Sequence, residues 1–311
     1  MADGVELGEA RILAPGKWRW LRAVAWMAVL VVLAIATFNV AADATLRIAA
    51  WMHGSTFTTR AAAPDGARLA AIIVGSVAML FTYAIAVRLG ERRAPSELRL
   101  APFLAEVGAG FAIGGLLIAA IIGLLVVGGW ATVEPSTIGR IMPALKEMVQ
   151  SAAIEETLFR IILLRLLWRA FGVWPALATS AILFGAMHLS NPGGTPFGAA
   201  CLIAGEGVSI GLYMLSGRLW LSIGMHAGWN FTQGWIFGSV VSGYALFAGG
   251  PLVTRPVAGL ADVLSGGAFG PESTLASLLI SLTASAATLW IAWSKGRFTR
   301  SAEIAAAGAP S

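Results

Sequence analysis

Hydrophobic and polar positions along this chain do not alternate in short amphipathic periods. They separate into long uncharged runs with charge gathered between them. Ala23–Ala42, Leu69–Val87, Val107–Ala131, Ala170–Ser190, Leu219–Val240 and Thr274–Trp293 contain no Asp, Glu, Lys or Arg. Phe197–Ser216 contains only Glu206. A stretch of roughly 20 apolar residues spans the hydrocarbon core of a bilayer as a helix. Ile141–Trp168 is apolar at both ends but carries Lys146, Glu147, Glu155, Glu156, Arg160 and Arg165. It fits a membrane helix only if its neighbours shield it from lipid. The pattern predicts an all-α, polytopic transmembrane bundle of about eight helices.

Three stretches organise the chain. Residues 1–140 hold the first three helices and their loops, 141–241 a core of helices four to seven, and 242–311 an outer loop, the last helix and a tail. The Gly- and Pro-rich Gly243–Glu272 reads as the longest irregular segment. The first apolar run, followed by Ala42-Asp43-Ala44, has a second reading as a cleaved signal peptide. Its length exceeds an ordinary signal core, which favours an uncleaved helix.

Composition sharpens the picture. Of 311 residues, 58% are hydrophobic and 12% charged, with 37 glycines besides. Soluble domains carry roughly 25% charged residues. So few charges cannot cover a soluble core, which excludes an ordinary cytoplasmic enzyme, a disordered chain and a nucleic-acid binder. The single cysteine, Cys201, permits no internal disulfide or cysteine metal cluster and reads as a small buried apolar residue.

The excess of basic residues sets the orientation. With a cytoplasmic N-terminus, the inner segments hold Arg11, Lys17, Arg19, Arg22, Arg88, Arg92, Arg93, Arg99, Arg165, Arg169, Arg218, Lys295, Arg297 and Arg300. The outer segments hold Arg47, Arg60, Arg68, Arg140, Lys146 and Arg255. This bias predicts both termini in the cytoplasm. The brevity and the Ala/Gly/Arg-rich composition of the chain point to an integral protein of a bacterial inner membrane. Trp18, Trp20, Trp130, Trp168, Trp174, Trp220, Trp290 and Trp293 fall near helix ends, where interfacial anchors belong.

The ionisable residues inside the runs are the candidate chemistry, since an unpaired charge near the bilayer centre costs roughly 2.5–3.5 kcal/mol. Glu156 and Arg160 are four apart with the acid first, the better order for an ion pair, and read as a self-neutralising pair that orients the helix. Glu155 has Phe159 at that spacing and needs a partner from another helix. His226 and Asn230 share a helix face, as either a helix–helix contact or a functional pair. His188 alone would read as a core histidine, His53 as an interfacial one. Glu206, between two glycines, reads as a local polar contact.

A carboxylate, two imidazoles and a carboxamide suffice to hydrolyse an amide. A Glu–His pair holds and deprotonates a water, and a His–Asn pair stabilises the oxyanion. Alternatively, Glu155, His188 and His226 would be a ligand set for a divalent metal such as zinc. The chain contains no H-E-x-x-H motif, so it is not an ordinary zincin.

Three motifs stand in order on successive segments: Glu155-Glu156-Thr157-Leu158-Phe159-Arg160 (E-E-x-x-x-R), Phe184-Gly185-Ala186-Met187-His188 (F-x-x-x-H) and His226-Ala227-Gly228-Trp229-Asn230 (H-x-x-x-N). Together they resemble the CPBP family of intramembrane proteases, which includes the type II CAAX prenyl endopeptidases and the bacterial Abi or bacteriocin-immunity proteins. The resemblance covers about Ile141–Val240. It implies a helical bundle around a polar cavity, with Glu155 and His188 activating water, His226 and Asn230 binding the carbonyl oxygen, and Glu156 and Arg160 ordering the first motif. Family members have been described both as metalloproteases and as glutamate-dependent enzymes, and the sequence leaves that choice open. The implied partners are a peptide or membrane-protein substrate and the lipid bilayer, with no nucleic acid. Bacteria generally lack prenylated CAAX proteins, so the eukaryotic substrate does not carry over. Two other readings use the same residues: a non-enzymatic scaffold or immunity-type protein, and a proton-coupled transporter. The second lacks the repeated broken helices of transporters. Gly110 and Gly114 match G-x-x-x-G, a spacing frequent by chance.

Overall fold

The computed structural model describes residues 4–57, 59–245 and 249–298; Arg300 of the inner-charge set, and the end of the tail, lie outside them. The predicted runs form α1 (Arg19–Met52), α2 (Asp65–Glu91), α3 (Phe103–Val127), α6 (Val173–Met187), α7 (Pro196–Ser216) and α10 (Leu275–Ser294). Among the described residues these six, with the His188–Ser190 turn continuing α6, are long and apolar enough to cross a membrane. The remaining two expected spans are also helical. The charged one is a continuous helix made of α4 (Met142–Glu156), a π-helical stretch Thr157–Leu164, and α5 (Arg165–Phe171). The other is α8 (Trp220–Phe231), extended by a π-helical stretch Thr232–Ile236. Each π stretch begins at or just after the end of a motif's polar pair, and such i→i+5 turns are rare and concentrate at functional sites.

The connections between the helices gather into two groups, one at each end of the bundle. At one end the segments before α4 and after α8 form an antiparallel pair of strands, β1 (Ala131–Pro135) and β2 (Leu252–Pro256), with Ala131 opposite Pro256 and Pro135 opposite Leu252. The stretch expected to be irregular, 243–272, therefore holds β2 and a short helix, α9 (Asp262–Ser265). Its strand forms only because the distant β1 supplies hydrogen-bond partners. Asn191, after α6, donates to the Ser242 carbonyl at the same end (3.0 Å).

At the other end Glu91, closing α2, takes both arms of Arg165 (2.9 and 2.8 Å) and one of Arg93 (2.7 Å). Arg93 also grips Glu97 through two bonds of 2.7 Å. Tyr83 hydrogen-bonds Glu97 as well as the Ile161 carbonyl. The N-terminal segment packs beneath this cluster, with Leu7 and Leu13 buried and Arg169 donating to the carbonyls of Gly8 (2.9 Å) and Leu13 (2.7 Å). Two predicted anchors are displaced by these contacts: Trp168 is buried in the core, and Trp220 is buried while its indole N–H donates to the Arg99 carbonyl. Trp18, Trp20, Trp174, Trp290 and Trp293 are exposed, as anchors should be.

Between the ends, α3 and α8 approach backbone to backbone. A Cβ at Gly110 or Gly114 would strike the backbone of Leu221 or Met225, and one at Gly224 or Gly228 that of Val107 or Phe111. The G-x-x-x-G spacing in α3 is thus a packing seam, met by a matching Gly224–Gly228 pair on the partner helix. Contact this close fixes the rotation of α8 and so the direction of His226 and Asn230. The predicted span Ala170–Ser190 is broken at Gly172, whose φ of 91° turns the chain between α5 and α6.

Candidate active site

The helix carrying the first motif brings Glu155 and Glu156 to α8 in different ways. Glu156 is buried and fully engaged. Its Oε1 lies 3.0 Å from His226 Nδ1, and its Oε2 accepts from Arg160 Nε (2.8 Å) and Ser209 Oγ (2.6 Å). Arg160, fully buried, turns its other face to Glu206 through two bonds of 2.7 Å. A buried guanidinium holds only when its donors meet carboxylates in good geometry, and the planar fork suits a bidentate pair. The Glu156–Arg160 pair of the motif therefore exists, but it does not close on itself. Glu206, expected to make a local contact, completes it from α7, and Ser209 bridges one turn further on.

Glu155 is placed otherwise. Its Oε2 is buried and has no hydrogen-bond partner among the described residues, and it stands 4.0 Å from His226 Nε2. His226 thus lies between the two carboxylates, Nδ1 toward Glu156 and Nε2 toward Glu155. Since a carboxylate only accepts, His226 Nδ1 carries a proton in the Glu156 contact.

His188 follows the last turn of α6, and its Nδ1 lies 2.8 Å from the Phe184 carbonyl. A carbonyl also only accepts, so this nitrogen donates and Nε2 is the free ring position. The Phe184 ring packs against His188 (4.8 Å between centroids) and Phe159 (5.2 Å, edge-on), which fixes the imidazole from the side. Asn230 Nδ2 donates to Ser151 Oγ (3.0 Å), which donates in turn to the Glu147 carbonyl (2.9 Å).

Glu156, His188, His226 and Asn230 line one cavity between α3, α6, α7, α8 and α10. Its remaining wall is mostly apolar, with Leu117, Leu202, Met225 and Ile280. Glu155 is not one of the residues that line this cavity; it stands behind them, beside His226. No hydrogen bond or ion pair joins Glu155 to His188 among the described residues, so the two expected water-activating groups do not touch.

The sequence reading did not single out Glu272. It comes from the 243–272 segment into the same cavity wall, where Oε1 accepts from the Ser242 backbone (2.5 Å) and hydroxyl (2.6 Å) and Oε2 from Trp229 Nε1 (3.3 Å). Burial lifts this carboxyl above its usual range, against the Ser242 donors and the charge of His188. A lone acid just ahead of a clean span was the only signal for it. Cys201 is buried in the cavity wall as a small residue.

The metal reading was tested on the donor set. Among the described residues no three His, Cys, Asp or Glu side chains are grouped to hold a metal ion. Glu155, His188 and His226 are therefore not gathered as one ligand set, although each imidazole has a free Nε2.

Comparison with known proteins bears on the segment that builds this cavity. Residues 113–232 match the family model of the Rce1-like type II CAAX prenyl endopeptidases. The Rce1-like segment runs from within α3 to the end of α8 and so contains all three motifs, and of the glycine seam Gly114, Gly224 and Gly228. It supports a CAAX-type intramembrane protease in general terms. Glu272 lies beyond it. No curated protein and no solved structure matches the chain.

Proposed function

We propose that the chain is an intramembrane endopeptidase of a bacterial cytoplasmic membrane, with both termini cytoplasmic, that hydrolyses a peptide bond in a peptide or membrane-protein substrate. One observation carries this reading: the buried, unpartnered Glu155 oxygen beside His226, in a site where the other carboxylates are fully hydrogen-bonded. An acid left without donors inside a bundle costs stability and is kept where chemistry uses it.

In this mechanism a water stands between Glu155 and His188 Nε2, the one ring position of that histidine free to accept. The water oxygen bonds to the substrate carbonyl carbon while its proton passes to this acid–base pair. The developing oxyanion is met by Asn230 Nδ2 and by His226 Nε2, which donates when the ring is in its imidazolium form. Glu156 holds that ring through Nδ1, and Arg160 with Glu206 holds Glu156. The carbon–nitrogen bond then breaks, and the proton taken from water is delivered to the leaving amine.

The test is cleavage of a transmembrane peptide library by purified protein in detergent. Glu155→Gln is expected to lower turnover by about 10²- to 10⁴-fold while the thermal unfolding midpoint holds. Undiminished turnover by this variant overturns the assignment.

A further inference from the structure

A second cavity lies between α1, α2 and the start of α4, away from the polar cluster. Its floor is apolar and buried: Phe38 and Leu46 on α1, and Ile72 on α2. Its rim carries three cations, Arg60 from the turn after α1, Arg68 from the first turn of α2 and Lys146 from α4, and one carboxylate, Glu147. Each of these cations has one acid. Arg60 pairs with Asp43 (2.7 Å), Lys146 with Glu147 (2.8 Å), and Arg68 with Asp65, which Arg140 shares (3.2 Å). Four cations therefore meet three carboxylates. Moreover, Arg68 Nε is buried and has no acceptor among the described residues. A buried guanidinium N–H without an acceptor is costly and marks a place for an anion.

The location narrows the anion. The rim lies at the β1–β2 end of helices long and apolar enough to cross a membrane, the end at which headgroups would stand, and α1 leaves Val32, Val40 and Ile48 exposed. Below the cations the pocket continues into hydrocarbon-like surface, which a free phosphate ion would leave unused. We propose that this cavity binds an anionic glycerophospholipid, its phosphate taken by Arg68 with Arg60 and Lys146 and part of an acyl chain laid against Phe38, Leu46 and Ile72. The occupant would brace α4 at Lys146, about two and a half turns before Glu155.

The experiment uses the purified protein in a maltoside detergent, with native mass spectrometry and titration of dioleoyl phosphatidylglycerol, dioleoyl phosphatidylcholine or inorganic phosphate. One phosphatidylglycerol is expected to remain bound per protein, with phosphatidylcholine at least tenfold weaker and inorganic phosphate failing to compete. Arg68→Gln should weaken phosphatidylglycerol about tenfold, the range of a lost charge-assisted hydrogen bond. Should that variant not fold, Lys146→Gln, at a partly exposed rim position, decides with a smaller loss in the same direction. Equal binding of both lipids, full competition by inorganic phosphate, or unchanged affinity in the folded variants would overturn the proposal. Peptidase activity plays no part in these readouts.

Discussion

His226 Nδ1 sits 3.0 Å from Glu156 Oε1, so the second glutamate of the E-E pair, and not the first, fixes the imidazole. Neighbouring residues in one helix thus do opposite things. Glu156 has every lone pair spoken for, and Glu155 has one oxygen with none.

That division predicts different phenotypes for two isosteric changes. Glu155→Gln is expected to lower kcat by about 10²- to 10⁴-fold, the usual contribution of a general base, with little change in thermal midpoint. Glu156→Gln leaves Arg160 with less compensation in the core and should destabilise by about 3–5 kcal/mol. Thermal unfolding in detergent beside an activity assay separates the two. A stable Glu156→Gln protein would refute the structural role given to that residue.

The glycine seam makes a second prediction. A methyl group at Gly114 would meet the Met225 backbone, which cannot turn aside as a side chain does. Gly114→Ala should cost about 1–3 kcal/mol as overpacking does, and should lower kcat because α8 carries His226 and Asn230. Gly123→Ala, on the same helix with open space around it, is the control expected to change neither.

Acid sensitivity should arise at the opposite end of the bundle from the cavity rim. Burial raises the Glu97 carboxyl, but the hydrogen bonds and charge of Arg93 outweigh it and hold the group below its usual 4.5. A depressed acid contributes stability that is present above the unfolded value and is lost as pH falls through the folded one. The thermal midpoint is therefore expected to drop as pH goes from about 5 toward 3. Glu97→Gln should flatten that drop while lowering the midpoint at pH 7. A variant with the wild-type acid profile would show that other carboxylates control it.

The donor geometry also predicts the response to chelation. With Glu155, His188 and His226 not grouped around a common point, turnover should persist after dialysis against a strong chelator, with metal content measured on the same sample. Loss on chelation and recovery with added zinc would require these side chains to rearrange around an ion.

Much of this arrangement was legible in the chain. Long uncharged runs report the bilayer directly, so the helices and their order follow from pattern alone. The three motifs were visible because helical spacing ties Glu156 to Arg160 and His226 to Asn230. What pattern could not supply was partnership across helices. Nothing local to Glu206 says that it completes the Arg160 site. Gly110–Gly114 gains meaning only beside Gly224–Gly228. Glu272 joins the cavity because its segment folds back over α8, where Trp229 and Ser242 receive it. The buried Trp168 and Trp220 show the same limit, since a tryptophan near a helix end looks alike whether lipid or protein covers it.

The leading segment has a practical consequence. Because Arg169 rests on the carbonyls of Gly8 and Leu13, and Arg165 on that of Leu7 (3.3 Å), the stretch before α1 works as a buttress rather than a leash. Trimming it to tidy the protein for crystallisation would strip Arg169 of both these acceptors and take one of several from Arg165. A purification handle fused there calls for a generous spacer ahead of Leu7.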